Sequence, residues 1–139
     1  MQVYPNSGAL AIAGLVQTAL VGAKLRLFLN NVGVVGPTTT RQELINDEAD
    51  FTGYPAGGAE IEAFMNPLLN PAGGASIDWP TVQFASASPY TVGNVIGGWW
   101  VETAGGQMIA CGTFPAGIPI GGAGTGFPLS GSLVFPNGG

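Results

Sequence analysis

The chain contains no histidine, one cysteine and only three basic residues among its 139 residues. Without histidine, neither a Ser-His-Asp nor a Cys-His arrangement can form, and one cysteine makes neither a thiolate metal cluster nor an intrachain disulfide. Because phosphate binding requires clustered Lys and Arg, a net charge of −5 argues against nucleic acid and anionic membranes as partners. We therefore expect a protein that is not an enzyme and carries no cofactor.

The chain is rich in glycine and apolar residues and poor in charged residues. The chain has 24 glycines, 46% of its residues are hydrophobic and only 8% are charged. The glycines follow no three-residue period, which excludes collagen, and the apolar content is too high for a disordered chain. The length fits one domain over residues 1–139. A domain with so few charges must expose apolar surface, and large exposed apolar patches usually mark interaction sites.

The apolar segment at residues 9–21 predicts a helix of the folded domain. It is shorter than the ~20 residues that a membrane span requires, and no basic residues precede it as they would in a signal peptide. Ser7 is placed to cap a helix that starts near Gly8 and continues to Leu20, with Gly22 as a natural stop. Because this helix is apolar nearly all round, we expect it to be buried on most sides.

The hydrophobic period changes to two after the helix. Leu25, Leu27 and Leu29 share one face of a predicted half-buried strand, with Arg26 among the residues on the other face. The threonines at 38–40 precede a short predicted helix over residues 41–45, which begins with a helix-start signal.

Further strands are predicted with turn residues between them. Ile77 and Trp79 share a face, Val82 and Phe84 share another, and the change at Pro80 indicates a β-bulge. Other strand segments are residues 60–65, 92–102, 107–114 and 129–135, with a hairpin turn at 104–106 and an uncharged contact loop at 115–128. This order predicts a mainly β fold, a single antiparallel β-sandwich or barrel-like domain with an N-terminal helix.

Several residues suggest chemistry, each with a simpler alternative. Glu60 and Glu62 lie two apart and could serve glycoside hydrolysis, although such a pair is more often a solvated face. The acidic residues at 47, 48 and 50 could bind calcium, but they lack the spacing of a calcium loop. Trp99 and Trp100 could stack on a sugar; adjacent strand residues point to opposite faces, so we expect one in the core. Cys111 lies in an apolar run and is predicted to be a buried small hydrophobe.

Three short motifs resemble those of a group of small structural proteins of tailed bacteriophages. Residues 24–32 have the sequence KLRLFLNNV, residues 48–54 are EADFTGY and residues 96–102 are IGGWWVE. In that group a similar strand leads into a loop, then into the EADFTGY element, and a tryptophan-containing hairpin strand lies downstream. The resemblance implies a β-rich virion component with no catalytic residues.

The expected function is that of a capsid decoration, or cement, protein. It would bind the outer surface of the major capsid protein, bridge its subunits and self-associate as a homo-oligomer, being made in the host cytoplasm and residing on the capsid surface of the virion. Alternatives are a tail, baseplate or head-fibre attachment component, and a carbohydrate-binding module that uses Trp99 or Trp100. Interface contacts are predicted within residues 1–7, 51–54 and 115–128, through the side chains of Val3, Tyr4, Pro5, Phe51, Tyr54, Ile118, Ile120 and Phe127.

Overall fold

Two helices and seven strands make up the secondary structure of residues 6–61, 64, 68–69, 75–85, 95–120 and 126–135, which are the residues that the computed structural model describes. The elements are α1 (Asn6–Ala19), β1 (Lys24–Leu29), a 3₁₀ turn (Asn30–Val32), α2 (Arg41–Asn46), β2 (Ala59–Glu60), β3 (Leu68–Leu69), β4 (Ala75–Ala85), β5 (Val95–Glu102), β6 (Met108–Pro119) and β7 (Gly126–Phe135).

The strands of the described residues form two antiparallel sheets. One has the order β2-β1-β5-β6 and the other has the order β3-β4-β7. Apolar side chains from both sheets, and from the residues that follow α1, meet in one core that includes Leu20, Leu27, Trp79, Phe84 and Leu133. The predicted mainly β, antiparallel and sandwich-like fold with an N-terminal helix is therefore confirmed.

Helix α1 begins and ends earlier than predicted. Its first residue is Asn6, so Ser7 lies within the first turn and is not the cap. Its last residue is Ala19, and the chain then turns through Gly22, whose φ of 78° lies in the left-handed region. The expectation of burial on most sides is wrong, because α1 packs with one face on β3, β4 and β7 and leaves Leu15, on the opposite face, 74% exposed.

Strand β1 is covered on both faces, whereas its alternating pattern predicts a half-buried strand. On the face turned away from the second sheet, Arg26 is only 9% exposed and Phe28 is fully buried. Phe28 packs there with Leu44 of α2 and Trp100 of β5. The outer face of the first sheet thus has a cover of its own, which includes α2 and the loop before it.

The N-terminus of α2 confirms the predicted helix start. The backbone N–H of Glu43 donates to Thr40 Oγ1 at 3.3 Å, and the backbone N–H of Thr40 donates to Glu43 Oε2 at 3.2 Å. This reciprocal capping box fixes the first turn of the helix. Because Leu44 is buried against the sheet, the same turn holds Arg41 above β5.

The predicted bulge and hairpin are also confirmed. The pairing of β4 with β7 shifts register between Trp79 and Val82, so Trp79 and Phe84 are both buried although they lie five residues apart. Strands β5 and β6 form a hairpin whose turn contains Gly106 at a φ of 90°. The final strand β7 alternates as predicted, with Leu133 buried and Val134 exposed.

The predicted loop over residues 115–128 is largely strand. Strand β6 continues through Pro115 to Pro119, and β7 begins at Gly126; residues 121–125 lie outside the described residues. Glycine and proline content indicates a loop locally, but pairing of Ile118 with Ile96 and of Phe127 with Phe84 extends both strands across this segment.

Replacing Gly98 tests how closely the first sheet is packed. A Cβ at this position would overlap the carbonyl oxygen of Gly112 and the ring of Phe28, neither of which can move freely. We expect Gly98→Ala to lower the free energy of unfolding by about 3 kcal/mol, as overpacked cores do. Gly14→Ala is the control, because a Cβ there meets nothing and should stabilise α1 by roughly 0.5–1 kcal/mol. Urea denaturation showing equal stability for both variants would contradict the packing described.

Candidate interaction surface

A buried ion-pair network lies behind the first sheet. Arg26 on β1 donates to Glu48 with two nitrogens, Nε to Oε2 at 2.6 Å and Nη2 to Oε1 at 2.6 Å. Its third nitrogen, Nη1, donates to Glu102 Oε1 at 2.5 Å. The guanidinium also lies over the Trp100 ring, with Cζ 5.1 Å from the ring centroid. A bidentate pair combined with a cation-π contact explains how an arginine remains charged in so enclosed a place.

Glu102 is the second centre of the network. Arg41 Nε donates to its Oε2 at 2.5 Å, and Trp100 Nε1 donates to the same oxygen at 3.2 Å. Burial alone would raise the pKa of Glu102, but the hydrogen bonds from Arg41, Arg26 and Trp100 outweigh it and lower that pKa to about 2. The pKa of Arg26 is correspondingly raised, first by its hydrogen bonds to Glu48. Arg26 and Glu102 are therefore charged and paired with each other at neutral pH.

Tyr54 connects this network to the edge of β1. Its hydroxyl donates to Glu48 Oε2 at 2.7 Å and accepts from the backbone N–H of Leu27 at 3.1 Å. Burial raises the pKa of the phenol, and hydrogen bonding to Glu48 raises it further. The ring stacks on Phe84 with centroids 6.1 Å apart. Tyr54 thus satisfies a backbone donor of β1 on the side away from β5, where β2 pairs only with Lys24 and Leu25.

Phe51 and Tyr54 belong to the core of the single chain. Phe51 is 5% exposed and contacts Tyr54 edge to face, with ring centroids 5.4 Å apart. Ile120 is equally buried, and Ile118 packs partly against the same core. In this conformation these four side chains stabilise the domain, and the surfaces of Phe51 and Ile120 are not open to a partner.

The other predicted interface residues remain predictions. Val3, Tyr4 and Pro5 lie outside the described residues, and Phe127 is described only through its backbone pairing with Phe84.

The structure also places the residues for which catalytic, sugar-binding or metal-binding roles were considered. Trp100 is fully buried, and Trp99 on the other face is half-buried and meets Trp79 edge to face with centroids 5.3 Å apart. Glu60 is exposed on β2, while Glu62 lies outside the described residues. Within the described part of the chain, no three acidic, His or Cys side chains group to hold a metal ion, and Glu48 is bound by Arg26.

The network determines which charges remain for the surface. Two of the three basic residues, Arg26 and Arg41, form ion pairs with Glu48 and Glu102. These four charges cancel, so the net charge of −5 falls on the remaining six acidic residues and Lys24. A surface with a single lysine to offset six acids is unfavourable for any phosphate backbone.

Large apolar side chains are exposed on several separate elements. Val34, in the loop before α2, is 89% exposed, and Val134 on β7 is 61% exposed. Leu15 on α1 is exposed as well, so the three side chains lie on three different elements. The other large apolar residues that are exposed are Ile12, Val21 and Ile109. Single exposed apolar residues are ordinary, but here they lie on a surface with very little charge to separate them. The sequence predicts exposed apolar surface in general, but not at these positions.

Open grooves accompany the second sheet, and two of them involve β7. One, of about 270 Å³, lies between β6 and β7 and is lined by Trp99, Ile109, Ala110, Cys111, Ser132, Leu133 and Val134. The Cys111 side chain is half-buried against the cluster of Phe28, Leu44 and Trp100 on the other face of the first sheet, and burial raises the pKa of its thiol. The other groove, of about 440 Å³, follows the bulge of β4 and is lined by Asp78 with hydroxyl side chains of both strands. The first groove is the more apolar and lies beside two exposed aliphatic side chains.

No helix among the residues described has the length and apolar composition needed to cross a membrane. Neither the family models, nor the curated proteins, nor the solved structures with which the chain was compared match it.

Removing Arg26 tests the importance of the buried network. We expect Arg26→Met to reduce the free energy of unfolding by roughly 3–5 kcal/mol, because Glu48 and Glu102 lose their shared guanidinium inside the protein. Lys24→Met changes the same strand and a residue that is only half-buried, and should alter stability by less than about 0.5 kcal/mol. Chemical denaturation of the two variants side by side decides the matter; a small effect at Arg26 would refute the assigned role.

The pKa of Glu102 predicts an acid-sensitive contribution to stability. Its folded pKa of about 2 lies below the ordinary value of 4.5, so the stabilisation is complete above pH 4.5 and is lost as the pH falls towards 2. We expect the wild-type protein to lose roughly 3 kcal/mol more stability between pH 7 and pH 2 than Glu102→Gln, which cannot titrate at this position. If the free energy of unfolding falls by the same amount in both proteins between pH 7 and pH 2, Glu102 is not held ionised in the folded state.

Proposed function

We propose that this protein is a structural component of a bacteriophage virion, namely a capsid decoration protein. It binds the outer surface of the major capsid protein as a homo-oligomer and stabilises the shell by bridging subunits. Synthesis takes place in the host cytoplasm, and the protein then resides on the capsid surface. The role is one of binding, not of catalysis.

The observation that carries the proposal is the distribution of charge. Arg26, which is buried, and Arg41, which is partly exposed, are both paired with carboxylates of the domain, while aliphatic side chains such as Leu15, Val34 and Val134 face outwards. Burial of apolar surface contributes roughly 25 cal/mol per Å² to the free energy of binding. Many small apolar contacts can therefore stabilise the boundaries between neighbouring capsid subunits. The acidic remainder gives the protein no attraction for packaged nucleic acid.

The three motifs behind the resemblance to phage structural proteins meet in one place. Arg26 comes from the first motif, Glu48 and Tyr54 from the second, and Trp100 and Glu102 from the third. The motifs thus specify the first sheet and its buried network. The virion role is proposed from the resemblance of these motifs together with the surface.

The location of the protein on an intact particle tests this proposal. Electron microscopy of the phage that encodes the chain is expected to show it as repeated density on the outside of the head. Particles that lack the protein should assemble but release their DNA at a lower temperature, and addition of the purified protein should restore the wild-type value. Density confined to the tail or baseplate would favour the alternative placement, and a particle without this density would refute both.

A further inference from the structure

The two sheets end side by side in unpaired strands. Among the described residues, β6 pairs only with β5 and β7 pairs only with β4, so each is the last strand of its sheet. Both strands line the same 270 Å³ groove, which places their free edges next to each other. We call this side of the domain, formed by residues 108–114 of β6 and 129–135 of β7, the open edge.

Among the described residues, the open edge has none of the features that usually protect a free strand. Edge strands expose a row of backbone N–H and C=O groups, and natural proteins shield them with lysines, prolines or covering loops. Pro115, Pro119 and Pro128 interrupt one end of each strand, but the open edge itself contains neither a proline nor a charged residue. Ile109 and Val134 are exposed there. The backbone groups of such an edge are satisfied best by another strand, which defines the occupant as an extended polypeptide.

The charge distribution favours a second copy of this chain as the source of that strand. A protein of net charge −5 repels itself wherever acidic side chains face each other. Glu60 lies on β2 at the far edge of the first sheet, and Glu102, which lies near β6, is neutralised by two arginines. Asp78 lies one strand inside the second sheet, where it accepts a hydrogen bond from Ser132. None of the acids on the described strands therefore lies on the open edge itself, where the two copies meet.

Symmetry gives the geometry of such a contact. A two-fold axis normal to the sheets places β6 opposite β6 of the other copy and β7 opposite β7 of the other copy. A rotation of this kind reverses the strand direction, so both pairs are antiparallel, as is every described pair within the domain. Each sheet can thus continue across the contact without a change in its hydrogen-bonding pattern.

We propose that the protein dimerises through the open edge. In the dimer, β6 pairs antiparallel with β6 of the second copy and β7 with β7, and the 270 Å³ groove is enclosed between the copies. This inference rests on the self-association included in the proposed function and adds the surface through which it occurs.

Sedimentation over a range of concentrations tests this with a matched pair of variants. Val134→Lys places a charge on the open edge, and Val21→Lys makes the same change at an exposed valine in the turn after α1, outside the open edge. We expect the wild type and Val21→Lys to dimerise equally, and Val134→Lys to weaken the dimer at least about tenfold, because each copy then carries a lysine on the paired strand. Ile109→Lys is the second edge variant if Val134→Lys fails to fold by circular dichroism.

Amide hydrogen exchange supplies an independent readout, because pairing of the open edges protects the backbone N–H groups of β6 and β7. The exchange rates of residues 108–114 and 129–135 should fall with protein concentration in the wild type and in Val21→Lys, but not in Val134→Lys. A wild type that stays monomeric, or edge variants that dimerise like Val21→Lys, would overturn the inference. Loss of the dimer in Leu15→Lys but not in the edge variants would move the contact to α1 and equally overturn it.

The outcome is separable from that of the proposed function. A wild type that dimerises through the open edge but is absent from virions would retain this inference and refute the decoration role. Conversely, density on the capsid together with a wild type that is monomeric in solution would retain the role and refute the edge contact.

Discussion

The structure depends on the neutralisation of one buried arginine. Arg26 lies in the middle of β1, and its guanidinium connects that strand to the segment around Glu48 and to the end of β5 at Glu102. Glu102 in turn holds Arg41, so α2 is tied to the sheet through the same carboxylate. A charge in this position costs several kcal/mol unless it is fully paired, so each of these elements must be in place for the others to be stable. The network therefore enforces one arrangement of the cover on the first sheet.

The same pairing shapes the exterior of the protein. Because two of the three basic residues are paired with Glu48 and Glu102, the surface is acidic and sparse in charge, and aliphatic side chains remain exposed on α1, on β7 and before α2. Repulsion between acidic side chains opposes contact between identical copies except at faces where no acids meet. The pairing of these arginines thus limits which faces are suited to association.

Local signals in the sequence predicted much of the fold and little of the site. The capping box at Thr40, the bulge at Pro80 and the alternation in β7 each depend on neighbouring residues alone, and the structure has all three. The burial of Arg26 was missed because a period of two does not reveal whether the polar face is covered by another part of the chain. Phe51 was expected at an interface for its aromatic character, but its neighbour Tyr54 and the core bury it. The extension of β6 beyond Phe114 depends on pairing with β5, which glycine and proline content does not indicate.

The edges of the two sheets are protected on one side of the sandwich and unprotected on the other. On the side of β2, the first sheet ends in a two-residue strand, and the neighbouring stretch of β1 is satisfied by Tyr54 and by hydrogen bonds with residues 47 and 49. On the opposite side of the domain, β6 and β7 have no comparable cover within the described residues. Both are much longer than β2 and β3, the strands at the other edges of the two sheets. Closing the sheets into a barrel would have removed these edges, as it does in other β proteins. Because the described strands instead keep two long, neutral edges next to an apolar groove, the proposed pairing with a second copy would satisfy the exposed backbone groups and cover Val134 at once.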